Sequence, residues 1–574
     1  MAFHFQYLAT RSGKALLLFF DNKRYLFGCF EGLQRYSIEA NFKLNSLDAI
    51  FLFSKLDIPG FLGLFLTISD MGKKHIDLVG VPELTQIIKS ADLFLNRRDI
   101  SYKLYSECYN DSFIYASAIK INGTLNFIVK LPAIKGKFLI EKIKKYNIPP
   151  RLYSLLTNRK TVVWDGIKYN GNDFMEDDII PGMVSILNCE SQFDILEQEI
   201  RKILKINNLD ISDKTHIILC FNKKCKEHFS KYCSNIYMLE ECDTVEYVSF
   251  YNIQSELNKL NKNYLMPANL PSLEMKNKYL KPKDKLCYEK KGYLVKRNEN
   301  VYPQIGYKPD YESTGKPKVI FLGTGAAIPN KYRNVSAIIY ETKELLALLD
   351  CGEDTLGQIK RIYGNKTNQM LSKLKVIFIT HSHADHHLGV AGILKSLNHT
   401  IAVIGPRNLI DYLKYFHNTE YFVTVGKKCS FQIAPDLLLT ACRVRHCNDS
   451  YGVRIDHKNI SIAYSGDSRP SLEFATLSQG TDLMIHECTF TDDLKDKAII
   501  SNHSTISEAI EIFTVSNSKK LILTHFSQRY SKCIELHKDI ILAFDFFSYE
   551  IGSEVNMKNI NEYFSKLVSK KYAL

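Results

Sequence analysis

The chain repeats one pattern of strands and helices in its two halves, and this internal repeat constrains the fold more than any other feature. In each half a short apolar strand, a turn, an amphipathic helix and another strand follow in the same order. Residues 79–82 (VGVP) of the first half, for example, are echoed by residues 403–406 (VIGP) of the second. Strands that are short, apolar and bounded by turn residues predict sheets with helices on their outer faces.

The repeat predicts two domains of similar size. The strands predicted in the second half are residues 319–322, 337–340, 376–380, 460–465 and 521–524. A stretch rich in Lys, Tyr and Pro separates the halves, and because it has neither helical nor strand periodicity we interpret it as a basic surface linker. The expected boundaries are residues 1–269 for the first domain, 270–318 for the linker and 319–574 for the second domain.

The charge balance favours a polyanionic partner. The 574 residues include 75 basic and 62 acidic side chains, which gives a formal net charge of +13. Phosphates attract such an excess through Coulomb forces and counterion release. Solubility alone would also account for the charge, so nucleic acid remains one of two interpretations at this point.

The cysteine content and the N-terminus bear on the compartment. The 14 cysteines lack the dense spacing of a secreted disulfide scaffold, and no signal peptide or organelle presequence is evident. We therefore expect a protein of the nucleus and/or cytoplasm, with the mitochondrion disfavoured. Apolar stretches such as residues 15–20 and 61–68 are far shorter than the roughly 18 residues that a membrane-spanning helix needs, so no membrane association is expected.

The strongest local signal for chemistry is the string HSHADHHLG, residues 381–389, which directly follows a predicted strand. A loop at a strand end can turn His381, His383, Asp385 and His386 toward one cavity. Neutral imidazoles and carboxylates are ligands of Zn²⁺. The alternative is a His-rich turn exposed to solvent. If the loop is buried instead, its titratable groups need a compensating cation, because burying them without one is costly.

Further candidate ligands stand at the ends of later strands. They are His446, Asp467 in a Ser-Gly-Asp turn, and His525. Each alone has an ordinary explanation, since a single His at a strand end is usually a hydrogen-bonding partner and Ser-Gly-Asp is usually a turn. Their order and spacing after HSHADHHLG make a shared metal site the better interpretation.

These residues resemble the metallo-β-lactamase superfamily, and within it the tRNase Z family of tRNA 3′-end endonucleases. The strings that carry the narrower resemblance are FLGTGAAIPNKYRNVSAI (321–338), DCGEDTLGQIKR (350–361), HECTF (486–490), NHST (502–505) and THFSQRY (524–530). The resemblance implies an α/β (α+β) fold with two tandem αβ/βα sandwich domains, as in the long form of the family. It covers essentially all of residues 318–547.

By the same resemblance the first domain is degenerate and carries an insertion. Where the second domain has its His/Asp ligands, the first has Ser54, Leu56, Ile58 and then Pro59 or Gly60, none of which can replace them. Residues at about 135–181 are similar to the flexible arm with which the family grips tRNA. The alternative is a hairpin insertion that packs on its own domain.

The resemblance also implies the site. One zinc ion would be held by His381, His383 and His446, and a second by Asp385, His386 and His525, with Asp467 between them; Mn²⁺ is an alternative metal. The implied catalytic residues are Asp385, which would orient or deprotonate the water, and His503, which would protonate the leaving oxygen with support from Glu487. In this chain the family's HEAT loop reads His-Glu-Cys-Thr, with Cys488 in place of alanine. A plain alternative for His503 is a cap on a helix starting near Ser504.

The predicted contacts to tRNA lie in two segments. One is the PxKxRN loop with Lys331, Tyr332 and Arg333, and the other is the basic start of the arm with Lys142, Lys144 and Lys145. A separate group, Cys220, Cys225, His228 and Cys233, has ligand chemistry but irregular spacing, and buried core thiols are the favoured interpretation.

The predicted function is zinc-dependent removal of 3′ trailers from precursor tRNA by hydrolysis after the discriminator nucleotide, which leaves a tRNA 3′-hydroxyl and a 5′-phosphorylated trailer. Alternatives are another RNA or DNA nuclease of the metallo-β-lactamase fold and a non-catalytic RNA-binding scaffold. A small-molecule hydrolase such as a thioesterase would need neither the charge nor the arm. Since two fused domains would mimic a homodimer, a monomer is predicted.

Overall fold

The computed structural model describes residues 3–10, 12–40, 43–91, 100–133, 135–178, 182–213, 215–239, 279–280, 285–289, 292–296, 315–330, 333–416, 421–426, 428–527 and 540–553. Within these ranges the chain forms two large sheets in each half and a small two-stranded sheet in the arm. None of the described helices is both long and apolar enough to cross a lipid bilayer.

The strands of the first half form two sheets. In spatial order, the first contains Gly292–Lys296, Lys285–Glu289, His4–Thr10, Gly13–Phe19, Arg24–Phe27, Ala49–Phe51, His75–Val79 and Ser101–Tyr105. The second contains Tyr279–Leu280, Ile236–Leu239, His216–Cys220, Met183–Leu187, Thr124–Lys130, Tyr115–Ile121 and Cys108–Asn110. Phe27 and Phe51 of the first sheet contact Phe127 of the second, so the two sheets face each other across an aromatic core.

The second half repeats this arrangement. Its first sheet contains Phe422–Thr424, Ala402–Gly405, Leu374–Phe378, Leu346–Cys351, Ala337–Glu341, Lys318–Gly323 and Ser548–Glu550. Its second contains Lys428–Ala434, Leu437–Arg443, Tyr451–His457, Ile460–Tyr464, Leu483–Glu487, Leu521–Thr524 and Ile540–Leu542. One buried apolar cluster joins residues of both sheets, including Phe321 and Leu439. The five predicted strands are all present, with ends that differ by up to two residues.

Helices cover the outer faces of the sheets. Outside the arm they are Leu33–Ala40, Ile58–Asp70, Leu84–Ser90, Phe193–Ile206, Lys223–Phe229, Thr355–Tyr363, Thr367–Leu371, Ala384–His387, Val390–Ser396, Arg407–Leu413, Leu472–Leu477, Lys495–Ser501 and Ile506–Ser516, and the arm itself contains Ile140–Lys144 and Tyr153–Thr157. Sheets that face each other with helices outside confirm the predicted fold class, an α/β chain with two tandem αβ/βα sandwiches.

The prediction for the linker is wrong in one respect. Residues 270–318 were expected to lack strands, yet Tyr279–Leu280, Lys285–Glu289 and Gly292–Lys296 add strands to the sheets of the first half. Lys285–Glu289 pairs antiparallel with His4–Thr10. This pairing joins His4 to Cys287, far apart in the sequence, and local periodicity carries no information about so distant a partner.

The arm is a small unit with its own core. Its hairpin strands, Val162–Trp164 and Ile167–Tyr169, and its two short helices enclose a separate apolar cluster that includes Ile143, Leu156 and Phe174. The described residues of this cluster all belong to the arm, which argues against the alternative that it packs on its domain. At its base Glu176 N donates to Lys137 O at 2.9 Å, so the two ends of the arm lie side by side.

The two halves pack against each other through their helical layers. One apolar cluster contains residues of both, including Phe61 of the first half and Leu388 of the second. Polar contacts cross the same boundary: Gly32 N donates to Glu353 Oε1 at 2.6 Å, and Arg35 Nη1 lies 3.5 Å from Asp545 Oδ2 with both side chains fully buried. The contact between domains therefore combines a shared core with buried ionic groups.

Glu31 lies at this boundary, and we expect its carboxyl group to make the stability of the chain depend on pH. Its carboxylate accepts a hydrogen bond from Asp354 N at 3.1 Å, while burial and the adjacent Asp354 carboxylate raise the pKa of Glu31 from 4.5 to about 8. A raised pKa in the folded state contributes stability that is complete below the unfolded pKa and is lost as pH rises through the folded pKa. We expect Glu31→Gln to gain free energy of unfolding relative to the unmodified chain as pH rises from 4.5 to about 8. Urea denaturation across this range measures the difference, and a difference that stays constant contradicts the prediction.

Candidate metal centre and proton donor

The seven predicted ligands meet at one edge of the second domain, where strands of its two sheets end. The four residues of the HSHADHH loop follow Leu374–Phe378; His446 follows Leu437–Arg443, Asp467 follows Ile460–Tyr464, and His525 follows Leu521–Thr524. Several of these strands run parallel, so their carboxyl ends open onto the same crevice. Such crevices are where α/β folds place ligands.

Three imidazoles and one carboxylate form the first group of ligands. One donor atom from each of His381, His383, His446 and Asp467 lies within 4.8 Å of the others. His383 Nδ1 is 3.0 Å from His381 Nε2 and 3.1 Å from His446 Nε2. Three ring nitrogens that converge this closely point their lone pairs at a common volume, as ligands of one cation do.

The second group lies beside the first and shares a carboxylate with it. His525 Nε2 and His386 Nε2 are 3.3 Å and 3.5 Å from Asp385 Oδ2. Asp467 Oδ2 is 3.3 Å from His386 Nε2 and 3.6 Å from His381 Nε2, one residue from each group. Asp467 therefore stands between the two groups.

Two buried atoms of this centre fit coordination of a cation. Within the described residues, His386 Nε2 and Asp467 Oδ1 are buried and have no hydrogen-bond partner. A buried polar atom without a hydrogen bond costs about 1–3 kcal/mol of folding free energy, and a charged atom costs more. A divalent cation would satisfy both atoms at once, so the residues present fit a metal.

The remaining ring nitrogens are held by neighbouring groups. His386 Nδ1 lies 2.7 Å from Asp350 Oδ2, His381 Nδ1 lies 3.0 Å from Thr380 Oγ1, and His446 Nδ1 lies 2.9 Å from Asn502 O. Partners of this kind fix the orientation of a ligating imidazole and leave its other nitrogen to the metal.

The electrostatics keep the first group ready to bind a cation. Burial and neighbouring imidazoles lower the pKa of His383 to about 4, and burial also lowers the pKa of His381 and His446. These rings are therefore neutral near pH 7, which is the form that ligates metals. Burial alone would raise the pKa of Asp467, but the His525 and His386 imidazoles hold it well below the usual range.

His503 and Glu487 form a pair beside the metal ligands. His503 Nδ1 is 2.9 Å from Glu487 Oε1, and Glu487 is fully buried at the end of strand Leu483–Glu487. Burial alone would lower the pKa of His503, but the Glu487 and Asp467 carboxylates raise it to about 9. Because Glu487 takes Nδ1, Nε2 is the nitrogen left to donate a proton to a substrate.

The alternative in which His503 caps a helix is wrong. The helix begins at Ile506, and its N-cap is Thr505, whose hydroxyl and the Glu508 carboxylate form a reciprocal capping box. The cap position is therefore already filled two residues after His503. His503 N instead donates to Ala498 O at 2.8 Å, which leaves the ring to face the centre.

The equivalent loop of the first domain has a purely structural arrangement. Ser54 Oγ accepts from Leu56 N at 3.2 Å and closes a capping box with Asp57, and helix Ile58–Asp70 begins directly afterwards. Where the second domain directs imidazoles into a crevice, the first starts a buried apolar helix.

Some of the residues predicted to contact tRNA are described in the structure and others are not. Lys331 and Tyr332 lie outside the described residues. Lys142, Lys144 and Lys145 are exposed on the arm, where Lys142 Nζ bonds Asp173 O at 2.7 Å and Lys144 Nζ bonds Glu141 at 2.7 Å.

Arg333 is placed differently from the prediction. Its guanidinium donates to Thr324 Oγ1 and Ala543 O and lies 4.5 Å from the ring centre of Phe526. Because these contacts engage the guanidinium within the protein, they favour a positioning role for Arg333 over a phosphate contact.

The cysteine group of the first domain does not form a set of metal ligands among the described residues. Cys220, Cys225 and Cys233 are buried in an apolar cluster, while His228 Nε2 lies 3.0 Å from Glu197 Oε2. Burial raises the pKa of the Cys220 thiol well above its usual range, which suits a core thiol.

Sequence reasoning missed three residues that organise the centre. Asp350 contacts His386 and also accepts from Tyr464 OH at 2.9 Å. Thr489 Oγ1 lies 2.7 Å from Glu487 Oε2 and 2.9 Å from His525 Nδ1. Arg469 contacts the loop of His503. Asp350 and Thr489 fall within the DCGE and HECTF strings, so position within a motif was the available signal.

The chain is similar in sequence to known proteins. A family model described as Beta-lactamase superfamily domain matches residues 347–526, and one described as tRNase Z endonuclease matches residues 9–63. Ribonuclease Z, mitochondrial, of Drosophila melanogaster is 26% identical, over 97% of this chain and 86% of its own. Zinc phosphodiesterase ELAC protein 2 of Mus musculus is 25% identical, over 93% of this chain and 82% of its own.

A solved structure extends the likeness to the whole fold. The crystal structure of a long form RNase Z from yeast aligns with a TM-score of 0.75 at 18% sequence identity, and the alignment covers 99% of this chain and 100% of that one. At this identity the match speaks for the fold alone. It includes both domains, so the degenerate first half has a counterpart there.

The relatives correct the expected compartment. The nucleus and/or cytoplasm were predicted and the mitochondrion was disfavoured, but the Drosophila relative is named as mitochondrial. So is tRNase Z TRZ3 of Arabidopsis thaliana, which is 25% identical over 97% of this chain and 84% of its own. The prediction was therefore wrong, and the relatives favour the mitochondrion. The mitochondrion was disfavoured because the sequence has no evident presequence, and that absence is weak evidence about the compartment.

Proposed function

We propose that the chain is a member of the tRNase Z family of the metallo-β-lactamase superfamily and a zinc-dependent endoribonuclease that removes 3′ trailers from precursor tRNA. Cleavage falls after the discriminator nucleotide and leaves a tRNA 3′-hydroxyl and a 5′-phosphorylated trailer. The observation that carries this proposal is the convergence of seven imidazole and carboxylate ligands beside the His503–Glu487 pair.

We propose that the centre holds two Zn²⁺ ions. His381, His383 and His446 would hold one, and Asp385, His386 and His525 the other, with Asp467 between them. When bound, the ions supply a water acidic enough to act as a nucleophile near neutral pH and offset negative charge on the phosphodiester.

The side chains supply orientation and proton transfer. Asp385, whose Oδ2 is fixed by a 2.7 Å hydrogen bond from Ala327 N, orients the water and accepts its proton. His503 donates a proton from Nε2 to the leaving 3′-oxygen, which is a poor leaving group without it. Glu487 holds the imidazole in its charged form, and Thr489 Oγ1 supports Glu487 by bonding its second oxygen.

The arm is proposed to bind the body of the tRNA at a distance from the chemistry. Its exposed lysines suit phosphate contacts, and its separate core lets it project as a unit. Because Lys137 O and Glu176 N already form a hydrogen bond, residues 138–175 can be replaced by a short Gly-Ser turn without separating the ends.

We expect this replacement to raise KM for precursor tRNA by about tenfold or more, since several phosphate contacts are lost. Hydrolysis of bis(p-nitrophenyl) phosphate, which is too small to touch the arm, should stay at the level of the intact chain. Steady-state kinetics on both substrates measure the two effects. An unchanged KM for precursor tRNA rules out the arm assignment.

The reaction class is tested by offering three substrates to the purified chain. A labelled precursor tRNA, a DNA hairpin of the same shape and a thioester separate a tRNA endonuclease from another nuclease and from a small-molecule hydrolase. Cleavage of precursor tRNA alone supports the proposal. Binding of tRNA without cleavage, in metal-replete protein, would favour the RNA-binding scaffold.

The domain boundaries and the assembly state remain part of the proposal. We propose a first domain at residues 1–269, whose two sheets are extended by the strands within residues 270–318, and a catalytic domain at residues 319–574. The two halves share one apolar cluster and so already pack on each other within a single chain, which supports a monomer.

A further inference from the structure

Arg469 connects the loop that carries Asp467 to the loop that carries His503. Its Nη1 donates to His503 O at 2.6 Å and to Glu508 Oε2 at 2.7 Å, and its Nη2 bonds the other oxygen of Glu508. The side chain is only 13% exposed and that of Glu508 only 8%. A two-pronged arginine–carboxylate contact in a buried setting fixes both partners in direction as well as distance.

The carboxylate partner is itself fixed. Glu508 closes the capping box of helix Ile506–Ser516 by accepting from Thr505 N at 3.0 Å. Burial alone would raise the pKa of Glu508, but Arg469 and Thr505 N hold it below the usual range, so the pair is ionic. The guanidinium therefore rests on a helix terminus, and its remaining hydrogen bond reaches the carbonyl of the proposed proton donor.

The same two loops meet at further points. Ser504 Oγ donates to Ser468 O at 2.5 Å, and Ser468 N donates to Glu487 Oε1 at 2.9 Å. Glu487 Oε1 is also the atom that holds His503 Nδ1. Arg469 thus completes a ring of contacts that runs from the Asp467 loop through Glu487 and back to His503.

We propose that Arg469 is a positioning residue for the reaction, which holds the His503 loop so that the imidazole reaches the leaving oxygen. This inference rests on the proposed role of His503 as the proton donor. In the described structure the Arg469 guanidinium contacts the His503 carbonyl and Glu508. It acts through the His503 carbonyl and Glu508, and a displacement of about 1 Å at a catalytic group can cost roughly 10²-fold in rate.

The test compares two substrates that differ in their leaving group. Precursor tRNA releases a 3′-oxygen that needs a proton, whereas bis(p-nitrophenyl) phosphate releases p-nitrophenolate, which does not. Arg469→Met is expected to lower kcat on precursor tRNA by roughly 10- to 100-fold with KM unchanged. Its rate on bis(p-nitrophenyl) phosphate should match that of the unmodified chain.

Lys495→Met is the matched control. Lys495 Nζ also approaches Glu508 Oε1, at 3.8 Å, but its side chain is 60% exposed. If loss of any cation near Glu508 were enough, this variant would lose activity on precursor tRNA as well. We expect it to keep the kcat of the unmodified chain on both substrates.

Two further variants test the positioning role independently of Arg469→Met alone. Glu508→Gln removes the negative charge that pairs with Arg469. It should also lower kcat on precursor tRNA and leave the rate on bis(p-nitrophenyl) phosphate unchanged, so it replaces Arg469→Met if that variant fails to fold. The double variant Arg469→Met/His503→Ala should be no slower on precursor tRNA than His503→Ala alone, because both changes disable one function.

Equal losses on both substrates, or a double variant much slower than His503→Ala, would overturn the positioning role. If the unmodified chain cleaves precursor tRNA and Arg469→Met and Glu508→Gln keep its kcat, the positioning inference fails alone. If the unmodified chain does not cleave precursor tRNA at all, the proposed function fails instead.

Discussion

Asp467→Ala is expected to abolish cleavage of precursor tRNA while leaving tRNA binding largely intact. Asp467 lies within 3.3–3.6 Å of His386, His381 and His446, which come from both ligand groups. Its removal takes away the carboxylate that lies between the two ligand groups. Several kcal/mol of charge stabilisation are then lost, so we expect kcat to fall by roughly 10³-fold or more.

Single-turnover cleavage and filter binding measure the two quantities on the same preparation, and metal analysis reports whether the variant still binds zinc. Asp456→Ala is the matched control, because Asp456 is an aspartate of the same domain whose described side-chain contacts go to Arg454. It should cleave at the rate of the unmodified chain. An Asp467→Ala enzyme that retains more than a tenth of the unmodified rate would place the chemistry elsewhere.

His503→Ala is expected to have the second largest effect. General acid catalysis contributes roughly 10²- to 10⁴-fold, so kcat on precursor tRNA should fall within that range while KM stays the same. The loss should be far smaller on bis(p-nitrophenyl) phosphate, whose leaving group needs no proton. Parallel kinetics on the two substrates measure the difference.

His399→Ala provides the comparison for this variant. His399 is a half-buried histidine of the same domain whose Nε2 bonds Leu374 O at 2.9 Å, and it takes no part in the centre. This variant should cleave both substrates normally. If His503→Ala slows both substrates equally, His503 supports the metal ligands and another group supplies the proton.

The seven ligands could be predicted because their residue types and their positions after strands are local features of the sequence. Residues 381–389 stand at the end of an apolar strand, and His446, Asp467 and His525 each follow another. Once strands of two facing sheets end at one edge, these side chains must meet. The fold class follows from the same strands together with the repeat.

What the sequence could not supply depends on contacts between distant segments. The strand Lys285–Glu289 pairs with His4–Thr10, and its own composition does not predict a partner at the other end of the domain. Arg469 reaches Glu508 across 39 residues, so an arginine next to a Ser-Gly-Asp turn gave no sign of its ionic partner. The cap at Thr505 is different, because Thr-x-x-Glu is a local signature that the sequence does contain.

The most direct measurement of the central claim is the position of the cut in a 5′-labelled precursor tRNA incubated with the purified, zinc-loaded chain. The account predicts one product that ends at the discriminator nucleotide with a 3′-hydroxyl, and no product with the Asp467→Ala variant. Intact precursor after incubation with active, metal-replete protein, or a cut at any other position, would contradict it.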